Sequence, residues 1–125
     1  MTRRSIDIPG LSHENPIPVA SLNGPLLVTS IISPFNPGTR EVPEALDDKI
    51  ANLFTHMGAI LDAAGGTWDD VAKVTFFVKD IAYRSSLNAP WEAKFPDPAS
   101  RPARHTQVAA GAGSIGCDFI AYIAR

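Results

Sequence analysis

Arg104 is the side chain in this sequence best suited to chemistry on a small anion. It closes the tripeptide Pro102-Ala103-Arg104 at the threshold of a strand-like stretch. A guanidinium placed there can direct two parallel hydrogen bonds onto a carboxylate. Proton carriers near it in sequence are few. His105 follows directly, and strand alternation aims it at the opposite face. His13 stands beside Glu14 in an N-terminal loop that could reach a pocket. His56 lies between Thr55 and Met57 on a helix, where a surface or rim position is expected. Cys117 is the single cysteine, so neither an internal disulfide nor a cysteine metal cluster can form. Its apolar neighbours predict a buried packing residue. Asp47-Asp48 and Asp69-Asp70 read as solvated pairs. No His-x-x-x-His or cysteine pair offers a metal site, and no glycine-rich strand-to-helix junction offers a phosphate cradle. The expectation is a site without metal or cofactor.

The totals narrow the class. A chain of 125 residues fits a single domain, 1–125, able to bury its own core. Apolar residues make up 45% and charged residues 19%, as in globular proteins. Net charge is -2 and the early basic pair Arg3-Arg4 is isolated, so no nucleic-acid footprint is visible. No apolar run reaches signal-peptide or membrane-spanning length. A cytoplasmic protein with no membrane partner is expected.

Periodicity then supplies the elements that must position Arg104. Strands are predicted at 5–8, 17–22 and 25–33, with Asn23-Gly24 as a tight turn. Leu46, Ile50, Leu53, Met57, Ile60, Leu61 and Ala64 recur at helical steps, with Asp47 and Asp48 early and Gly65-Gly66 as the stop. A strand at 72–80 alternates Ala72, Val74, Phe76 and Val78 against Lys73, Thr75, Phe77 and Lys79. A second helix is predicted over 86–95, lined by Leu87, Trp91 and Phe95, with Pro90 at the end of its first turn removing one backbone bond. Strands at 105–111 and 116–124 close the chain through a turn at 112–114. The order β-β-β-α-β-α-β-β argues for an α+β fold with two helices on one face of one sheet. Strand 25–33 is apolar on both faces, and 116–124 nearly so. Two helices cover one side only, so a second copy is the simplest cover for the other. A homo-oligomer is expected.

Several segments together resemble the RidA (YjgF-type) enamine/imine deaminase family, from about Pro16 to Ala124. They are Leu26 to Ser30, Asn36-Pro37-Gly38-Thr39, Asn52-Leu53, Leu61-Asp62-Ala63-Ala64-Gly65, and the strand from Asp70 to Asp80. Asn88, Trp91, Phe95 and Pro102-Ala103-Arg104 complete the set. The resemblance implies a single mixed six-stranded sheet with two helices on one face, a chorismate-mutase-like arrangement. It further implies a homotrimer with sheets facing the centre and ligand pockets between subunits. Arg104 and Ser30 would be the catalytic pair. Arg104, Ser30, Ile17, Ile32, Asn88, Trp91, Thr106 and Phe119 would line the substrate, with backbone near Arg104 and Gln107 orienting water.

The sequence also departs from the family pattern. Ile17 stands at the pocket tyrosine, and Ile31-Ile32 replace Gly-Gln after Ser30. Counted without gaps from Arg104, the family's proton-handling glutamate falls on Phe119. Asp118 is one residue away and, without a bulge, points to the opposite sheet face. The resemblance implies a hydrolytic deaminase acting on an imine, enamine or related C–N compound bearing a carboxylate. The alternative is a non-catalytic trimer that binds a small carboxylate metabolite, for which the loss of the glutamate argues.

Overall fold

The computed structural model describes residues 2–109 and 113–124. Three strands precede the first helix: β1 (Arg3–Ile6), β2 (Ala20–Asn23) and β3 (Leu26–Thr29). The helix α1 (Leu46–Ala64), strand β4 (Val71–Val78), helix α2 (Asn88–Lys94) and strands β5 (Ala103–Val108) and β6 (Ile115–Tyr122) complete the order. The strands form one six-stranded sheet in the order β1-β2-β3-β6-β4-β5. β4 and β5 are parallel, and the other neighbours are antiparallel. A parallel pair needs a long crossover, which the segment carrying α2 supplies.

Local chemistry accounts for the boundaries. Asn23 is the last residue of β2 and pairs with Leu26, so the turn is Gly24-Pro25 rather than Asn23-Gly24. Gly24 takes φ 62, the positive value a two-residue hairpin demands of its first position. α1 starts and ends where its periodicity predicts. Gly65 enters the left-handed region, and the amides of Gly65 and Gly66 donate to Asp62 and Leu61. Pro90 is the third residue of α2 and lies in its first turn, as expected. The turn at 112–114 and the end of the predicted strand 105–111 fall partly outside the described residues.

Both helices pack on one face. Phe76 of β4 is buried between them, with its ring 6.2 Å from Phe54 of α1 and 6.4 Å from Trp91 of α2. Every second residue of β6 joins this core: Ile115, Cys117, Phe119 and Ala121 are all buried. The alternate residues Asp118, Ile120 and Tyr122 face the side without helices. There Ile120 pairs with Val28 and Tyr122 with Leu26, all four exposed. The apolar second face expected from the sequence is therefore present and uncovered in the single chain. Among the described residues no helix is long and apolar enough to cross a membrane.

Candidate functional site

Arg104 stands on β5, an edge strand. It is in register with the core residue Val74, so its side chain rises on the helix face. The strand is anchored just before it by Arg101, whose Nε donates to the Phe95 carbonyl at 2.8 Å. Trp91 of α2 lies beneath the guanidinium, 5.3 Å from ring centroid to Cζ. Phe95 (4.8 Å) and Phe76 hold that indole edge-on. Arg104 Nη2 donates to Asn88 Oδ1 at 2.9 Å. Partial burial lowers the Arg104 pKa, and the positive charge of Arg84 adds to the effect. An arginine nevertheless stays charged. The head group is thus oriented on two sides, with further N–H donors free to face an anion. It borders a groove of about 500 Å³ lined by Ile81, Ala82, Arg84, Ser85, Asn88 and Arg104. Larger grooves beside Trp68 and Tyr122 lie away from this head group. Thr106, in register with Phe76, is on the same face one step along β5.

A second group of expected site residues lies across the sheet. Ser30 donates its hydroxyl to the Pro18 carbonyl at 2.9 Å, and its amide to Val19. Ile17 is exposed and shares a groove of about 340 Å³ with His13 and Asp7. Between Val28–Ile120 and the next bridge, Ile32–Cys117, β3 advances four residues while β6 advances three. That is a β-bulge, a device common beside active sites. The Thr29 hydroxyl fills the gap by accepting from the Phe119 amide at 3.0 Å.

Two of the expected lining residues are placed elsewhere. Phe119 is 1% exposed and in register with Val74, so its ring belongs to the core beneath the helices and lines no open surface of this chain. Ile32 is likewise a core residue. Trp91 is buried and presents its ring to Arg104 rather than to solvent. The bulge falls on β3, not on β6, so β6 alternates without interruption and carries Asp118 to the helix-free face. Asp118 is opposite Thr75, and Thr75 is opposite His105, which makes one row across β6, β4 and β5. Burial raises the Asp118 pKa, and Lys73 on the same face opposes the rise. Asp118 is the residue the gapless count passes over. The unbroken apolar alternation Ile115, Cys117, Phe119, Ala121 and Ile123 is the signal that finds it.

The histidines divide differently from expectation. His56 is 4% exposed, not a surface or rim residue, and its Nε2 donates to the Phe35 carbonyl at 2.7 Å. Burial depresses its pKa. Beside it Asn52 donates to the Pro34 carbonyl and Asn36 Oδ1, so α1 tethers the loop that follows β3. Cys117 is fully buried, and burial pushes its thiol pKa far up, helped by the charge of Asp118. No group of three or more potential metal ligands occurs among the described residues.

Within one chain these pieces do not converge. β6 and β4 separate β3 from β5, a span of roughly 14 Å at ordinary strand spacing. Arg104 and Asp118 moreover occupy opposite faces. What the single chain offers is an oriented guanidinium at one edge and a carboxyl beside a bulge on the open face.

Known proteins share this fold. A RutC family protein of Aquifex aeolicus is 32% identical over 97 residues, covering 73% of this chain and 77% of that protein. The 2-iminobutanoate/2-iminopropanoate deaminase of Escherichia coli K12 is 38% identical over 82 residues. That match spans 65% of this chain and 64% of the deaminase. The crystal structure of the Escherichia coli YjgF gene product superposes with a TM-score of 0.83 at 30% identity, over 95% of this chain and 98% of that one. With residues 18–117 matching the endoribonuclease L-PSP family, the chain belongs to that family, also known as RidA/YjgF.

Proposed function

We propose that the protein is a hydrolytic deaminase. Its substrate class is an imine or enamine that carries a carboxylate, and its pocket forms between copies of a homotrimer. The observation that carries this reading is Arg104, held over Trp91 and bonded to Asn88 at an exposed sheet edge. Holding a cation in place before the ligand arrives spares ordering entropy on binding. The named activity of the Escherichia coli relative supports the same class.

Hydrolysis needs a water oxygen to attack the imine carbon, and one proton carried from that oxygen to the nitrogen. The carbinolamine's hydroxyl proton then passes to the same nitrogen, the C–N bond breaks, and ammonia departs to leave the 2-oxo acid. Asp118, rather than a residue at position 119, is the proton carrier in this reading. Its raised pKa suits a carboxyl that gives and regains a proton, and such a group contributes roughly 10²–10⁴-fold. The Arg104 edge of one copy must then meet the Asp118 face of another. The uncovered apolar patch of Leu26, Val28, Ile120 and Tyr122 is the surface that a neighbouring copy would bury.

A second reading, carboxylate binding without turnover, draws on the opposite placement of Arg104 and Asp118. One experiment separates the two. Freshly generated 2-imino acids are supplied and ammonia release is followed for the wild type, Arg104→Ala and Asp118→Asn. Turnover lost in both variants supports the deaminase. Arg104-dependent binding of small carboxylates by calorimetry, with no ammonia released by the wild type, establishes the binder instead.

A further inference from the structure

Arg104 shares its groove with a second cation. Arg84 belongs to the 3-10 stretch Ile81–Leu87 and lines the same cleft. That stretch is fixed at its start by Asp80, whose Oδ1 accepts from the Ala82 amide at 2.9 Å and whose carbonyl accepts from Tyr83. Arg84 therefore projects from a defined turn. Both residues line this one cleft, and the positive charge of Arg84 acts on Arg104 there. Among the described residues neither has an ion-pair partner. Ala82 and Ile81 form the uncharged wall of the cleft, and Ser85 spends its hydroxyl proton on the Ala82 carbonyl.

Arg104 holds its charge partly buried beside a like charge, and an anion bridging the two arginines removes that cost. A monocarboxylate engages Arg104 and leaves Arg84 unanswered. A ligand with two acidic groups answers both. We infer that Arg84 and Arg104 together form a two-cation clamp that selects small dicarboxylates over monocarboxylates of similar size. This rests on the reading that Arg104 binds the substrate carboxylate, and it narrows that substrate to an imine or enamine of a dicarboxylic acid. Arg84 is the specificity determinant and takes no part in proton transfer. Its head group is exposed, so its replacement disturbs little of the fold.

The test uses succinate, its monomethyl ester and propanoate as probes, titrated calorimetrically against the intact protein at low salt. The wild type should bind succinate about tenfold or more tightly than the monomethyl ester, the worth of one charge-assisted contact. Arg84→Gln should erase that preference. Arg84→Lys, which keeps the charge but not the fork, should retain part of it. Equal affinities for succinate and ester in the wild type overturn the clamp, as does a preference that survives in Arg84→Gln. In both cases Arg104-dependent binding of propanoate leaves the parent reading intact. Failure of all three probes to bind in an Arg104-dependent way overturns the parent reading and the clamp together.

Discussion

Replacing Phe119 by glutamate separates the register seen here from the one a gapless count implies. If position 119 faced a ligand, glutamate would restore a proton carrier at little cost to the fold. In the structure Phe119 is among the largest fully buried side chains and packs beside Val74 under α1. Losing a ring from such a site costs about 3–5 kcal/mol. Glutamate adds the burden of burying a carboxyl, or of protonating it to avoid burying charge. Domains of this size are stable by roughly 5–15 kcal/mol, so the variant should be close to unfolding. At about 3–5 °C per kcal/mol, the ring alone predicts a melting temperature some 10–20 °C lower. Phe119→Leu, which keeps an apolar body, should cost only about 1 kcal/mol. Asp118→Asn should leave melting nearly unchanged while removing ammonia release. Circular dichroism melting and the ammonia assay, on the same preparations at one protein concentration, read both quantities. A Phe119→Glu protein that melts within about 3 °C of the wild type and turns over faster would refute the assigned register.

Three further outcomes are expected. His56 is buried neutral with its pKa below the ordinary 6.5, so its stabilising contribution is complete above that value and drains away as pH falls through the depressed one. Thermal melts at pH 7 and pH 5 should show the drop in the wild type and a smaller one in His56→Gln, and identical drops would contradict the assignment. Tyr122 is 58% exposed opposite Leu26, on the face that copies would share in the proposed trimer, so Tyr122→Glu should leave the fold of one chain intact and lower the assembly state read by sedimentation velocity; unchanged sedimentation counts against the open face as the contact. Cys117 should resist thiol reagents until denaturant is added, because it is both inaccessible and far from its thiolate form; rapid labelling of the native protein would show the β6 core to be open.

The elements were most legible where a single period governs a long stretch. The apolar positions of α1 recur from Leu46 to Ala64 and the helix is observed as Leu46–Ala64, because seven apolar positions and a glycine stop agree. The same helix shows what a side-chain label hides. His56 is three residues past Leu53 and four before Ile60, on the buried face, yet its polarity suggests the surface. Strands are less faithful to their apolar runs. β3 is expected over 25–33 but ends at Thr29, because the bulge breaks the ladder while the side chains remain apolar. β1 and β2 are shifted from 5–8 and 17–22 to Arg3–Ile6 and Ala20–Asn23, since the Gly24-Pro25 turn sets the register of the hairpin that β1 then follows. Of the candidate site, Asn88 and Trp91 are legible as neighbours on one turn of α2. Their meeting with Arg104 depends on the parallel pairing of β4 with β5, which no local pattern encodes.

Arg104 and Asp118 are held apart by the sheet itself, and this has a consequence for mixtures. Residues on opposite faces of one strand layer cannot touch the same small molecule, whereas an edge of one copy can be laid against the open face of the next. In a closed ring every such contact is heterologous, with one copy giving its edge and the other its face. Arg104→Ala spoils the edge and spares the face, and Asp118→Asn does the reverse. Each variant alone should therefore be inactive. When the two are unfolded together and refolded at equal amounts, a given contact receives an intact edge half the time and an intact face half the time. Both coincide in about a quarter of contacts, so about a quarter of wild-type ammonia release should return. A site assembled from the edge and face of the same copy predicts no recovery at any mixing ratio. Refolded mixtures that are trimeric by sedimentation yet remain inactive would therefore show that Arg104 and Asp118 are not joined across the contact.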